Sequence, residues 1–223
     1  KSTRVNYTCL TTPAREPALT SDRVDMVIAT FTYTADRETR IDFSRAYYKA
    51  SGTLLVPNNA PNAYLPTLAG KTVATTTASI YDSWMKNCFK DTNVLATDSF
   101  TNALLAFRQG RADALMWDDA VLVGIAATDR NLKLTPERFL PLPYGIGIKQ
   151  GNTAVKRWVD SRLEVMRKRD TFNAHTTVAG GVAYHDCGTA NLSPACQSLK
   201  DDYDQALTLA QDKHARDVSE ATQ

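Results

Sequence analysis

"VDMVIATFTYTADRETRIDFSRAYYKASGTLLV", Val24 to Val56, places a short apolar run, a polar turn and one arginine directly in succession. Val24 to Ala29 is apolar and β-branched with a single charge, the pattern of a strand covered on both faces. Thr30, Thr32 and Thr34 then alternate with Phe31 and Tyr33, so an extended backbone puts three hydroxyls on one side and two rings on the other. Thr34 is placed to cap a helical turn over "ADRETR", whose first N–H groups, with Arg37, would face the strand end. A carboxylate there would accept a bidentate guanidinium pair together with hydroxyl and N–H donors, a geometry that lysine cannot supply. The residues alone leave a second reading open, with Arg37 paired to Asp36, Glu38 or Asp42 on a solvated helix face.

Outward from this stretch, strand and helix patterns alternate, which predicts α/β units with mostly parallel sheets. "RVNYTCL" (4–10) reads as a strand, "AREPALTSDR" (14–23) as a helix and "SGTLLVPNN" (51–59) as an extended segment. The Pro and Asn punctuation of "PNNAPNAYLP" (57–66) marks a lobe boundary. Beyond it, "KTVATT" is a strand, Ser79 to Phe89 a helix, "NVLAT" a strand, Thr101 to Gln109 a helix, "ADALMWDD" a strand and "AVLVGIAAT" a helix. "PLPYGIGIK" (141–149) is a strand whose glycines permit close backbone approach. "TAVKRWVDSRLEVMRKRD" (153–170) is an amphipathic helix with Val155, Val159, Leu163 and Met166 on one stripe. Two connecting segments, "ASGTLLV" and "PYGIGI", therefore join two βα-rich blocks.

With 43% hydrophobic and 22% charged residues, the chain has the composition of a globular protein able to bury a core. Its net charge of +2 calls for no nucleic-acid partner. No apolar run is long enough to span a bilayer, and "KSTRVNYTCL" is neither a signal peptide nor a lipobox. Of the four cysteines, Cys9 and Cys88 read as small buried hydrophobes, while a local bridge between Cys187 and Cys196 is left open. The run His185, Asp186, Cys187 has the wrong spacing for a metal, because adjacent residues rarely point at one ion. No metal or cofactor is called for.

"DMVIATFTYTADRETRIDFSRAYY" resembles the signature of the extracytoplasmic amino-acid-binding proteins of ABC importers, the polar amino-acid branch of the solute-binding family. The family pattern of alanine or glycine, Thr-x-Thr, arginine, Asp-Phe-Ser and a Tyr-Tyr pair falls on Ala29, Thr32, Thr34, Arg37, Asp42, Phe43, Ser44, Tyr47 and Tyr48. The likeness continues through "GKTVATTTAS", "FRQGRADALMWDDAVL" and "PYGIGIKQGNTAVKRWVDSRLEVMRKRDTF", from about Arg4 to about Phe172. It implies an α/β fold of the two-lobed periplasmic-binding-protein type II class, with lobe one incomplete and a C-terminal helical extension. The expected organisation is lobe one over 1–52, lobe two over 53–142, a hinge return with lobe-one helices over 143–192, and a C-terminal helix over 193–223. That last helix starts at Ser193-Pro194 and carries a thin apolar stripe of Leu199, Tyr203, Ala206, Leu207 and Ala210.

The resemblance also implies a site. Ala29, Thr32 and Arg37 would come from lobe one, and Thr76, Ser79 and Asp118 from lobe two. Arg37 would hold the carboxylate and Asp118 the α-ammonium of a polar or acidic L-amino acid of the glutamate, glutamine and aspartate class, with Asp119 capping the next helix. Ser79 also has a purely local reading as a helix N-cap, and the two roles are compatible. Ala78-Ser79 stands where relatives carry Gly-Thr, and Phe100 stands near where some place a histidine. Phe31 and Trp117 read either as walls for the ligand side chain or as plain core. The expected protein is monomeric and periplasmic or otherwise extracytoplasmic, lipid-anchored in one form of the full-length chain. It would deliver its ligand to the membrane permease of an ABC importer.

Two other functions share the fold: an extracytoplasmic sensor domain, and a periplasmic dehydratase-like enzyme. An enzyme needs an acid or base aimed at the reacting carbon, and His175, His185 and His214 all fall late in the chain. Relatives open with a strand, an aromatic loop and a helix that are absent before "KSTRVNYTCL". The chain is read first as a fragment of a longer product, with processing or a gap-filling C-terminal extension as the alternatives.

Overall fold

The computed structural model describes residues 5–61 and 65–168. A helical turn leads into α1 (Arg15–Thr20), followed by β1 (Met26–Val27), α2 (Ala35–Glu38), β2 (Ile41–Phe43) and the ten-residue β3 (Tyr48–Pro57). Then come β4 (Thr72–Thr76), α3 (Ile80–Cys88), β5 (Asn93–Thr97), α4 (Phe100–Arg108), β6 (Ala114–Asp118) and α5 (Asp119–Thr128). The described chain closes with β7 (Leu132–Leu134), β8 (Phe139–Tyr144), β9 (Gly147–Lys149) and α6 (Thr153–Lys168).

These strands form two sheets, one per lobe. The smaller has the order β1-β9-β2, with β9 antiparallel to both neighbours in the registers Met26 to Ile148 and Ile41 to Lys149. The larger runs β5-β4-β6-β3-β7, with β8 also on β3. Only β4 pairs in parallel, with β5 and with β6, through the βαβ units closed by α3 and α4. The remaining pairs are antiparallel, so the expectation of mostly parallel sheets is corrected. The reason is topological: β3 and β8, which carry the chain between the sheets, run against each other, and β3 runs against β6 and β7.

β6 is buried at all its positions and Val73 to Thr76 of β4 likewise, as parallel strands covered by helices should be. Leu54, Leu55, Tyr81, Trp84, Met85, Leu115, Met116 and Leu122 centre this large core. The smaller sheet has a lesser core of Leu19, Val27, Phe31, Ile41 and Phe43, and a third cluster of Ile146, Ile148 and Val159 beneath α6. In the motif "DFS", Asp42 accepts the Gly151 N–H at 2.9 Å, and Ser44 Oγ accepts the Ile146 N–H at 2.9 Å. These residues fasten β2 to the returning chain.

Several local expectations change. Residues 5–10 form no strand; Val5, Tyr7 and Cys9 are exposed, and no described strand lies alongside to complete a ladder. Cys9 is therefore a free, exposed thiol rather than a buried hydrophobe. Among the described residues β1 has a strand neighbour along one edge only; separately, the exposure of Ile28 next to buried Val27 shows that Val24 to Ala29 is not covered on both faces. "PLPYGIGIK" divides into β8 and β9, each in a different sheet, with Gly147 at the crossing: a Cβ there would lie 2.7 Å from the Phe31 ring. Cys88 is disulfide-bonded, not a lone buried thiol, and its partner lies outside the described residues. Cys187, Cys196 and the helix expected over 193–223 also lie outside them.

Candidate functional site

Thr34 sets the start of α2, its hydroxyl accepting the Arg37 N–H at 3.1 Å, as its place in the sequence predicts. This cap turns the Arg37 side chain inward, to 9% exposure, with its guanidinium 4.8 Å from the centre of the Phe31 ring. Nε donates to Glu16 Oε1 at 3.0 Å, Nη1 donates to the Thr32 carbonyl at 2.8 Å, and Nη2 reaches the Ala78 carbonyl of the other lobe at 3.4 Å. The acids of the same segment have partners of their own. Asp36 takes a bidentate pair from Arg40, Glu38 accepts the Tyr33 hydroxyl, and Asp42 holds Gly151. Arg37 is thus a buried cation on the face of one lobe that meets the other.

On the opposite lobe, β4 ends at Thr76 and the chain turns through Ala78 into α3. Ala78 takes a left-handed φ of 59°, a conformation suited to glycine. A reciprocal pair of hydrogen bonds holds it: Ser79 Oγ accepts the Asp82 N–H at 3.1 Å, and Asp82 Oδ2 accepts the Ala78 N–H at 3.3 Å. Glu16, Arg37 and Arg40 from lobe one and Ala78, Ser79, Ile80 and Ser83 from lobe two line a cavity of about 730 Å³. The structure thereby brings Arg37 and Ser79 together, with the Thr32 carbonyl beside Arg37. Thr76 is fully buried, and its Oγ1 has no hydrogen-bond partner among the described residues. Ala29 packs against the small core of lobe one and is not among the cavity's lining.

Asp118 ends β6 at 4% exposure. The Tyr81 hydroxyl donates to its Oδ1 at 2.5 Å and the Tyr144 hydroxyl to its Oδ2. Burial pushes the Asp118 carboxyl up to about 6; the two tyrosine hydrogen bonds and Arg15 pull the other way, and Asp119 adds to the rise. Burial and the neighbouring Asp118 push both tyrosines well above the usual phenol range. Tyr144 also bridges to Thr32, so a path Thr32, Tyr144, Asp118 connects the lobes. Asp118 itself does not line the cavity; it lies behind the two phenols.

Asp119 helps to cap the start of α5, as expected, with Oδ1 accepting the Ala120 N–H at 2.7 Å, and it has a second task. It is the first residue of α5, with Oδ1 accepting the Ser51 N–H of β3 at 3.1 Å and Oδ2 facing Arg138 Nε at 3.4 Å. That contact braces the strand linking the lobes. Phe31 and Trp117 both prove to be core. Phe31 packs on Phe43, and Trp117 on Phe100 and Tyr81.

Arg15, Glu16, Tyr81 and Tyr144 are site residues that the sequence reading missed. Burial and then the like charge of Arg37 lower the Arg15 pKa, while Asp118 holds it up, so the Arg15 guanidinium sits in the field of both proposed anchors. Its Nε is buried without a hydrogen-bond partner among the described residues. "AREPALTSDR" reads only as a helix; the usable signal is a pair of opposite charges, Arg15 and Glu16, on a short helix one segment before Arg37. Among the described residues no group of three or more His, Cys, Asp or Glu side chains could hold a metal ion. No described helix is long and apolar enough to cross a membrane.

Residues 2–177 match the family described as bacterial extracellular solute-binding proteins, family 3. The chain is 30% identical over 159 residues to the ABC transporter glutamine-binding protein GlnH of Bacillus subtilis, covering 71% of this chain and 58% of that protein. It is 34% identical over 139 residues to a glutamine-binding protein of Geobacillus stearothermophilus, covering 62% of this chain and 53% of that protein. The chain thus spans little more than half the length of these curated relatives. Among solved structures, an ancestral arginine-binding protein bound to glutamine superposes with a TM-score of 0.73 at 29% identity, over 77% of each chain.

Proposed function

The chain belongs to the bacterial extracellular solute-binding proteins of family 3, and from that premise we propose that it closes on an L-amino acid and delivers it to the permease of an ABC importer. The observation that carries this reading is the charge arrangement of the cleft. Arg37 reaches from lobe one to within 3.4 Å of the Ala78 carbonyl, beside the start of α3, while Asp118 lies buried at the end of β6. A zwitterion satisfies both. Its carboxylate takes the guanidinium and the N–H groups at the Ser79 end of α3, and its ammonium gives the buried Asp118 the cationic partner that a desolvated carboxylate needs. For the ammonium to arrive, the Tyr81 and Tyr144 hydroxyls must share or yield the Asp118 oxygens.

The side chain is read as polar or acidic, of the glutamate, glutamine and aspartate class. Arg15 supports this, because a second, partly buried guanidinium near Arg37, whose Nε has no hydrogen-bond partner among the described residues, suits a second oxygen-bearing group. In this proposal Thr32 and the orphaned Thr76 hydroxyl contribute polar contacts, and Ala29 contributes backbone. The lobes divide near residues 52 and 142, along β3 and β8. Closure by rotation about these strands would expel water and strengthen each charged contact. The protein acts outside the cytoplasm as a monomer, free or lipid-anchored.

A calorimetric panel of the common L-amino acids tests the reading. Glutamate, glutamine or aspartate should bind in the micromolar range or tighter, and the same ligand at a hundredfold excess over Kd should stabilise the fold by about 2.7 kcal/mol. Absence of binding by every α-amino acid would overturn it.

A further inference from the structure

Glu16 joins two arginines that lie on and just after α2. Its Oε1 accepts from Arg37 Nε at 3.0 Å and its Oε2 accepts from Arg40 Nε at 3.0 Å. Arg40 is fixed from its other end by the bidentate pair with Asp36, at 3.0 and 2.7 Å. The result is a charge chain, Asp36, Arg40, Glu16, Arg37, that runs from the surface to the cleft. Side-chain exposure along it falls from 78% at Asp36 through 45% at Arg40 and 26% at Glu16 to 10% at Arg37.

The atom that Glu16 uses matters. By taking Nε it occupies the inner edge of the Arg37 guanidinium and leaves the outer end, Nη1 and Nη2, directed at the Thr32 and Ala78 carbonyls. Those two nitrogens form the fork that a ligand carboxylate would engage. Glu16 also offsets repulsion: Arg15 lies close enough to Arg37 for each to disfavour the other's charge, and Arg40 adds a third cation.

We propose that Glu16 is a positioning residue for ligand binding, acting through Arg37: it holds the guanidinium so that its terminal nitrogens face the cleft, with Arg40 and Asp36 anchoring it from behind. This rests on the amino-acid-binding reading above. Glu16 need not touch the ligand.

The test measures, by calorimetry, the affinity of wild type, E16Q, E16D and R40Q for the amino acid that wild type binds most tightly. The Arg37 Nε–H resonance is followed by NMR in the same proteins. E16Q should bind about tenfold more weakly, because a charge-assisted hydrogen bond is replaced by a neutral one, and its Arg37 Nε–H should lose its protection from exchange. E16D should fall between the two. R40Q, which changes a half-exposed side chain, should weaken binding several-fold by loosening Glu16. Affinity in E16Q equal to wild type would overturn the proposal. Tighter binding in E16Q would overturn it too, by making Glu16 a competitor for the ligand's carboxylate. Weaker binding with an unchanged Arg37 signal would show a structural role instead. Failure of wild type to bind any amino acid would overturn the functional reading first, and is distinguished by needing no variant.

Discussion

The two lobes hold their structures by different means. Lobe two has a six-stranded sheet, two parallel βαβ units and a large apolar core centred on residues such as Leu115, Met85 and Trp84. Among the described residues, lobe one has three short strands and two small apolar clusters, one of five buried residues and one of three, and around them an ion-pair chain, Asp36, Arg40, Glu16, Arg37, and the ties from Asp42, Ser44 and Asp160. The lesson is that lobe two is a scaffold that presents its site, whereas in lobe one the site residues are themselves part of what keeps the lobe together. Substitutions near Arg37 should therefore mix binding with stability more than those near Ser79.

Core truncations give the largest effect and the plainest way to break this contrast. Leu115→Ala in β6 should cost about 4 kcal/mol, since a fully buried side chain in a dense sheet leaves a cavity that cannot collapse. Ile41→Ala in β2 should cost nearer 2 kcal/mol, at the low end of the same range, because its surroundings can relax. Equal losses in chemical denaturation would remove the distinction.

Next comes pH, which acts on the lobe-two carboxylate. Asp118 is held at about 6 in the folded protein by burial, above its ordinary value of 3.8. Below the ordinary value the carboxyl is protonated in both states. Between the two the fold keeps a proton that the unfolded chain has lost, so stability declines as pH rises from about 4 to about 6, by on the order of 3 kcal/mol. Ligand affinity runs the other way, because an ammonium requires the ionised form: it should be flat above about pH 6 and fall by up to tenfold per unit below it. Calorimetry and thermal unfolding across pH 4 to 8 should show these opposite slopes. Parallel slopes would mean that Asp118 does not meet the ligand's charge.

A smaller effect is expected at the strand linking the lobes. A Cβ at Gly52 would lie 2.5 Å from the Phe139 ring and 2.9 Å from the Tyr81 ring, beside the register shift between Ser51 and Gly52. Gly52→Ala should therefore destabilise by roughly 1–3 kcal/mol through overpacking. It should also weaken binding, since Tyr81 is the residue that holds Asp118. A neutral outcome in thermal unfolding would show that the rings move aside freely.

Much of this organisation was legible in the chain. The helices of lobe two were read in place, and Ser79 caps α3 as expected, its Oγ accepting the N–H from three residues ahead; Ser99 does the same for α4, a cap the sequence reading had not named. The cap at Thr34 was likewise foreseen from the order of residues, whereas for Arg37 the residues alone left a solvated ion pair open and the inward reading came from the family resemblance. Strand direction was not, because alternation of βα units does not reveal that β3 and β8 pass between sheets and pair with each other antiparallel. Residues 4–10 misled for another reason: their pattern suits a strand, yet strand character is realised only where a partner edge exists. The adjacent charges Arg15 and Glu16 escaped notice because their meaning depends on contacts with Arg37 and Asp118, distant in sequence, and nothing local distinguishes them from a solvated pair. Tyr81 and Tyr144 were hidden in the same way, since a buried phenol looks like core until its hydroxyl is seen on a carboxylate.

The central claim is that an α-amino acid spans Arg37 and Asp118, and it is tested most directly by titrating one bound amino acid into wild type, Arg37→Lys, Asp118→Asn and Asp119→Asn. Asp118→Asn removes a buried charge partner, at a cost of about 2–5 kcal/mol, and Arg37→Lys keeps the charge but loses the planar fork that holds a carboxylate at two points. The account therefore predicts affinity weakened by roughly thirtyfold or more in Asp118→Asn and strongly in Arg37→Lys. Asp119→Asn, whose contacts are to Ser51 and Arg138, should bind nearly as wild type while losing some thermal stability. Wild-type affinity in Arg37→Lys or Asp118→Asn, or the large loss falling on Asp119→Asn, would contradict it.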